Sequence, residues 1–205
     1  MNAQILPLAI TMMAGPQIMT AIIFVTHPSP VRVSLAFLVG VAVAATLGTT
    51  IYFLLAGTID LGDPSDRGST GKIIQYVLVG LLLLLAIRTY RHRETAEPPK
   101  WMGSLLQASP RRALTMGFLL IFVMPTDIAS MLTIGVNLEQ RGDSLIAAVP
   151  FLALTVLIAA LPLLAYLLLG TRAKEAMPKA RDWMSSNSWL VNIIVLGIFI
   201  FLILG

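Results

Sequence analysis

The sequence predicts an all-α integral membrane protein of six transmembrane helices arranged as two inverted three-helix repeats. Three observations carry this: the composition, the alternation of Lys and Arg between loops, and a proline-centred pattern that recurs in both halves. Of 205 residues, 57% are hydrophobic and 12% charged, with a mean hydropathy of +0.87; a soluble domain runs about 45–50% apolar and about 25% charged. Six spans of about 20 residues with short loops fill such a chain and leave no room for a separate soluble catalytic domain. Cysteine is absent, which removes disulfides, thiolate metal sites and dithiol redox chemistry.

The apolar runs are Ile5 to Thr26, Val31 to Gly57, Ile73 to Ile87, Ala113 to Val136, Leu145 to Gly170 and Trp189 to Gly205. The first has no Lys or Arg ahead of it and no small-residue cleavage pattern behind it, so it is expected to remain as helix 1 rather than act as a signal peptide. The third and sixth are short and need their flanking Tyr, Arg or Trp to reach the interface. Eleven of the 14 Lys and Arg residues fall in alternate loops: Arg32, then Arg88, Arg91, Arg93, Lys100, Arg111 and Arg112, then Arg172, Lys174, Lys179 and Arg181. The other side holds Arg67, Lys72 and Arg141 among Asp60, Asp63, Asp66, Glu139 and Asp143. The positive-inside rule then predicts cytoplasmic basic loops and both termini outside, in a multi-pass protein of the cell (plasma or inner) membrane. The net charge of +4 is mostly topology, and no base-stacking platform interleaves the cations, so nucleic acid is not an expected partner.

Two basic loops resemble surface-lying segments. In Lys100 to Pro110, Trp101, Met102, Leu105 and Leu106 share a helical face ahead of Arg111 and Arg112, which predicts a short helix in the headgroup layer. Thr171 to Ser188 mixes Lys and Arg with Met177, Trp183 and Met184. An ordinary aromatic belt beside basic anchors is the simpler account of both, ahead of specific lipid recognition.

The chain divides into a first repeat over residues 1–91, a basic cytoplasmic linker over 92–111 and a second repeat over 112–205. Ala14-Gly15-Pro16-Gln17 lies mid-helix in the first span, and the second closes on Gly57; Met124-Pro125-Thr126-Asp127 lies mid-helix in the fourth, and the fifth closes on Gly170. Each half holds an odd number of spans, so the second enters from the opposite side, a transporter architecture. Chance likeness of apolar helices is the alternative. Pro16 cannot donate to the carbonyl of Met12, nor Pro125 to that of Ile121, so each is expected to kink its helix. Carbonyls freed at membrane depth are tolerated only towards protein or a wet cavity, so the kinks are expected to face each other or a passage. Kinking without a ligand role is the competing account.

Asp127 is the only acidic residue within the six runs, and no Lys or Arg lies within a turn of it. An ionised Asp at the bilayer centre costs about 2.5–3.5 kcal/mol on insertion scales, so it must be protonated, hydrated or paired. We expect it to carry a coupling proton or to bind a cation or substrate amine; a capping or packing Asp is the alternative. For Gln17, Thr20, Thr46, Thr49, Thr50, Thr126, Ser130, Thr133 and Thr155, bonding to the helix backbone is expected ahead of lining a path. Met12, Met13, Met19, Met116, Met124 and Met131 are read as flexible packing around a cavity for a large apolar substrate, ahead of a thioether copper path. Met12 and Met13, taken singly, are expected to face lipid.

Catalysis is not expected, and neither is a cofactor or a metal. The P-loop-like stretch Asp66 to Ile73 lacks the leading glycine and the Ser/Thr after Lys72, and His27 and His92 lie in different loops. A two-aspartate intramembrane protease would need a second membrane Asp.

Six short spans in inverted halves, Gly15-Pro16 in helix 1, Met124-Pro125-Thr126-Asp127 in helix 4 and a basic central loop resemble the lysine exporter (LysE) superfamily, and within it the peptidoglycolipid- or sulfolipid-addressing GAP family. The resemblance covers nearly the whole chain on short motifs. It implies a membrane transporter exporting small solutes or, in the GAP branch, assisting movement of glycolipids to the cell surface. Related redox members carry Cys before each proline; Gly15 and Met124 stand in those places, which excludes electron transfer. Related cation exporters have several membrane acids where this chain has Asp127, which weighs against divalent-metal efflux.

The expected function is therefore export of a lipid or lipid-linked substrate at Gly15, Pro16, Gln17, Met124, Pro125, Thr126 and Asp127, between helices 1 and 4. Proton-coupled export of an amino acid or a cation is the second reading, and a non-transporting scaffold of an envelope-lipid pathway the third. The bilayer and the substrate are the expected partners, and a homodimer is compatible with the sequence.

Overall fold

The computed structural model describes residues 5–13, 15–58, 80, 83–84, 86–91, 105–187, 189–190, 193, 197 and 200. In chain order these form α1 (Ile5–Met13), α2 (Pro16–Val25), α3 (Pro30–Ala56), α4 (Pro110–Val123), α5 (Pro125–Gln140), a 3-10 turn (Leu145–Ala148), α6 (Val149–Leu169) and α7 (Thr171–Ser186). Residues 86–91 are also helical, and no strand occurs among the described residues. The third and sixth runs, the linker over 92–111 and the P-loop-like stretch fall wholly or largely outside the described residues.

Prolines open four of these helices: α2, α3, α4 and α5. The first helical position suits proline because its missing N–H would have had no intrahelical partner and its φ is already helical. This corrects the expectation of two kinked but continuous spans. The first run is broken into α1 and α2, and the fourth into α4 and α5, whose axes diverge by 68°. Gly15 supplies the first break with φ 112° and ψ −138°, backbone that an L side chain rarely adopts. Met124 supplies the second with φ −67° and ψ 127°, the extended conformation imposed on a residue preceding proline.

Among the described residues two helical segments are long and apolar enough to cross a membrane: Pro30–Ala56, and Leu145–Leu169 counting the 3-10 turn; the bent pair α4–α5 makes a third if taken as one span. At about 1.5 Å per residue, 27 residues exceed a hydrocarbon core of about 30 Å. α3 shows what surrounds it. Leu35, Val39, Val43, Leu47, Ile51 and Leu54 form an exposed stripe, while the opposite, buried face carries Gly40, Ala44, Ala45, Gly48 and Thr49. Large apolar groups outside and small ones inside is the pattern of a helix in lipid, where close backbone approach replaces hydrophobic burial as the glue. The protein is thus an all-helical membrane protein.

α3 is the central packing helix, flanked by α4, α5 and α6. A Cβ on Gly40 would collide with the Leu114 carbonyl, and one on Gly117 with the Phe37 carbonyl, so α3 and α4 cross backbone against backbone. Along α5, Gly48 faces Met131, Gly135 faces Tyr52 and Phe53, and Gly57 faces Glu139. The paired numbers rise together, so α3 and α5 run side by side in the same sense. α6 packs on α1, α2 and α3, and the Phe24 and Phe37 rings meet edge to face at 5.5 Å.

Leu105 and Ala108 are buried in this core just ahead of α4, while residues 100–104 of the expected surface-lying segment fall outside the described residues. Ser109 follows as the α4 cap, its hydroxyl accepting from Arg112 N–H at 3.3 Å. Met12 and Met13 are buried as well, which corrects their expected exposure to lipid. α1 presents that face to α6 and α5.

Gly117→Ala should lower the thermal unfolding temperature of the detergent-solubilised protein, because overpacking of this kind costs about 1–3 kcal/mol. Gly80→Ala, whose Cβ would meet nothing within 4 Å, should leave it unchanged. Equal midpoints for the two variants would contradict the close α3–α4 crossing.

Candidate functional site

The first turn of α2 begins at the Gly15 break. Gly15 is buried and Pro16 half-buried, and Gln17 is only 1% exposed although its side chain is polar. Thr20 donates to the Pro16 carbonyl at 2.7 Å, which ties the turn together. The first turn of α5 begins at the Met124 break. There Met124 and Thr126 are half-buried, Pro125 is exposed and Asp127 is fully buried. Ile128 N–H bonds to the Met124 carbonyl at 3.0 Å, and Ser130 donates to that of Thr126 at 2.9 Å.

The two turns meet. Gln17 Nε2 donates to Asp127 Oδ2 at 2.6 Å across 110 residues of sequence, and Thr126 Oγ1 donates to Asp127 Oδ1 at 3.1 Å. Both carboxyl oxygens are therefore satisfied, one locally and one from the other half of the chain. Asp127 also occupies the first turn of its own helix, where the exposed N–H groups and the helix dipole favour negative charge. The carboxyl predicted to need a proton, water or a partner has one, and it is a neutral amide. Sequence reasoning assigned Gln17 to its own backbone; the structure turns it across to Asp127.

Gln17 Oε1 is buried without a hydrogen-bond partner, and it lies beside the break, 3.5 Å from where a Cβ on Gly15 would stand. A buried acceptor left open costs free energy, about 1–3 kcal/mol. The amide has a second useful property. Turned over, it would accept from a protonated Asp127 through Oε1 and free Nε2 to donate elsewhere, so one pair of side chains can hold the carboxyl in either protonation state.

The structure thus places all seven sequence-named residues, Gly15, Pro16, Gln17, Met124, Pro125, Thr126 and Asp127, at two helix starts joined by one bond. Thr20, Ser130, Thr133 and Thr155 bond to the carbonyl four residues back, the expected backbone role. Thr49 does not; its hydroxyl, like that of Ser34, is buried without a partner. Met131 is buried against Gly48, while Met19, Met116 and Met124 are half-buried. Among the described residues no three His, Cys, Asp or Glu side chains gather as a metal site would require. His27 accepts from Ser29 N–H at 2.9 Å and shapes the turn into α3. The glycine contacts of α3 escaped sequence reasoning, although Gly40, Ala44 and Gly48 recur every four residues, the signature of a close helix crossing.

Gln17→Ala removes the cross-chain donor from a buried carboxyl, and we expect it to destabilise the protein by about 1–3 kcal/mol. In a double-mutant cycle with Asp127→Ala, the coupling should be about 0.5–3 kcal/mol. Thermal unfolding in detergent measures both, and additive losses would show that the bond holds nothing together.

Two comparisons, one with curated proteins and one with solved structures, return no match. A family model does match, that of Sap, the sulfolipid-1-addressing protein, over residues 5–205. Both helix breaks, the buried carboxyl and every described element lie inside that range, and the chain belongs to the sulfolipid-1-addressing protein family.

Proposed function

We propose that the protein is a membrane transporter that moves a lipid or lipid-linked, glycolipid-type substrate across the cell membrane, at a site between α2 and α5. The observation that carries this reading is the Gln17–Asp127 bond between two helix breaks. Half-helix ends facing each other at membrane depth are how secondary transporters expose backbone polar groups to a substrate. Lipid is favoured over a soluble solute by the family's description, which names a sulfolipid, and by the scarcity of charge in the apolar runs. The reading needs no catalysis by the protein.

We further infer six spans in two inverted halves, within the lysine exporter superfamily. Pro16 and Pro125 both stand at the first helical position, of α2 and α5 respectively, which supports a repeat. α3 and α5 share a direction, as second and fourth spans of an alternating chain must. The Tyr90 and Trp189 rings meet at 6.0 Å, consistent with the end of a third span and the start of a sixth on one side. With the basic loops cytoplasmic, both termini face outward.

A second reading, proton-coupled export of an amino acid or a cation, is favoured by the complete burial of Asp127. Deletion of the gene in its host, followed by comparison of surface-extractable with whole-cell lipids, separates the two. Lipid export predicts that one lipid class leaves the surface fraction while its cellular pool is kept, and that the wild-type gene restores it. Asp127→Asn should restore it poorly, with no response to external pH. An unchanged lipid distribution together with reduced efflux of a labelled amino acid or cation would favour the second reading. If neither changes, both transport readings are rejected.

A further inference from the structure

α6 ends at Gly170, whose φ of 51° and ψ of −116° break the helix, and α7 starts at the next residue. α7 is thus a separate helix rather than a continuation of a span, and it packs against α2 and α6. Along it, Arg172, Ala176, Lys179 and Trp183 follow at spacings of four, three and four, so they share one stripe. All four are exposed, Trp183 by 51%. Glu175, three residues from Arg172 and four from Lys179, and Asp182, three from Lys179, border this stripe along one edge.

An indole left half in solvent beside two cations, directly after a spanning helix, has one favourable surrounding in a membrane protein. The ring settles at the level of the headgroups, the Lys and Arg stems lie along the apolar boundary, and their charged ends reach the phosphate layer. A neutral headgroup layer would satisfy the indole but not the two cations. The charge on the stripe is complementary to anionic lipid, and each Lys or Arg near such a surface contributes about 1 kcal/mol, about five-fold in affinity.

We propose that the Arg172–Lys179–Trp183 stripe of α7 is a docking surface for anionic lipid headgroups. It lies apart from Gln17 and Asp127 and does not depend on what the protein transports. Because α7 packs on α2, the docked headgroups stand beside the half-helix that carries Gln17.

The test uses the full chain with Trp101→Phe and Trp189→Phe, which leaves Trp183 as the sole indole of the three. In bilayers containing brominated phosphatidylglycerol or brominated phosphatidylcholine, quenching of Trp183 reads which lipid sits against it. The expected result is preferential quenching by phosphatidylglycerol, by about five-fold or more in relative binding. That preference should fall to parity in Arg172→Gln/Lys179→Gln. A salt titration of the protein carrying the native stripe tests the same point without that substitution: the preference should shrink as the Debye length falls towards about 3 Å at 1 M. Equal quenching by the two lipids, a preference that survives both the substitution and the salt, or no quenching by either lipid would overturn the proposal.

Discussion

A helix cannot stop inside hydrocarbon unless something else satisfies the backbone groups it releases, and on the proposed six-span reading this protein stops two helices there. Each break exposes the last carbonyls of one half-helix and the first N–H groups of the next. The chain answers with the same device twice, a proline at the first helical position, which removes one orphan donor outright. What the prolines cannot supply is attachment between the broken pieces, and Gln17 and Asp127 supply it. A buried Asp and a buried Gln are each unfavourable alone. Together, with Thr126 on the second carboxyl oxygen, they convert two separate losses into one hydrogen-bonded contact.

That contact needs a rigid frame, and α3 provides it by being small where it touches its neighbours. Water cannot drive helices together in lipid, so attraction must come from close contact over many atoms. Gly40 and Gly117 let two backbones touch, and Gly48 makes room for the buried Met131. Met131 lies one turn beyond Asp127 on α5, so the packing that seats it also fixes where the carboxyl stands. The soft, unbranched methionine side chain of Met131 fills the space that Gly48 leaves.

Much of this was legible in the residues, for definable reasons. The membrane class, the α3 span to within a residue at each end and the disturbance of the helix at Gly15-Pro16 and Met124-Pro125 followed from composition, hydropathy and the chemistry of proline. The break itself was not legible. Proline in an apolar run is compatible with a kink or with a new helix, and the choice depends on whether the preceding residue leaves the helical region. Gly15 leaves it to a φ of 112° and Met124 to an extended ψ of 127°; a following proline disfavours the helical region without dictating which of these two conformations replaces it. The partner of Asp127 was hidden for a related reason. A search for a charge to match a charge overlooks a neutral amide, and a bond spanning 110 residues leaves no local periodicity to detect.

Magnitude bears on whether such a bond suits a moving part. A hydrogen bond contributes about 0.5–1.5 kcal/mol net, or about 1.5–3 kcal/mol when one partner is charged, while even a micromolar ligand brings about 8 kcal/mol. On the proposed transport reading, a substrate or a proton that competes for Gln17 or Asp127 can therefore replace the bond and keep a surplus. A buried Lys or Arg opposite Asp127 would behave differently, because separating it would strand an uncompensated charge at a cost of about 3–5 kcal/mol. The neutral partner keeps the junction between α2 and α5 closed at rest while leaving the cost of opening it within reach of one ligand. The open acceptor on Gln17 adds to this, since a donor arriving at the Gly15 break gains a bond there before any existing one is lost.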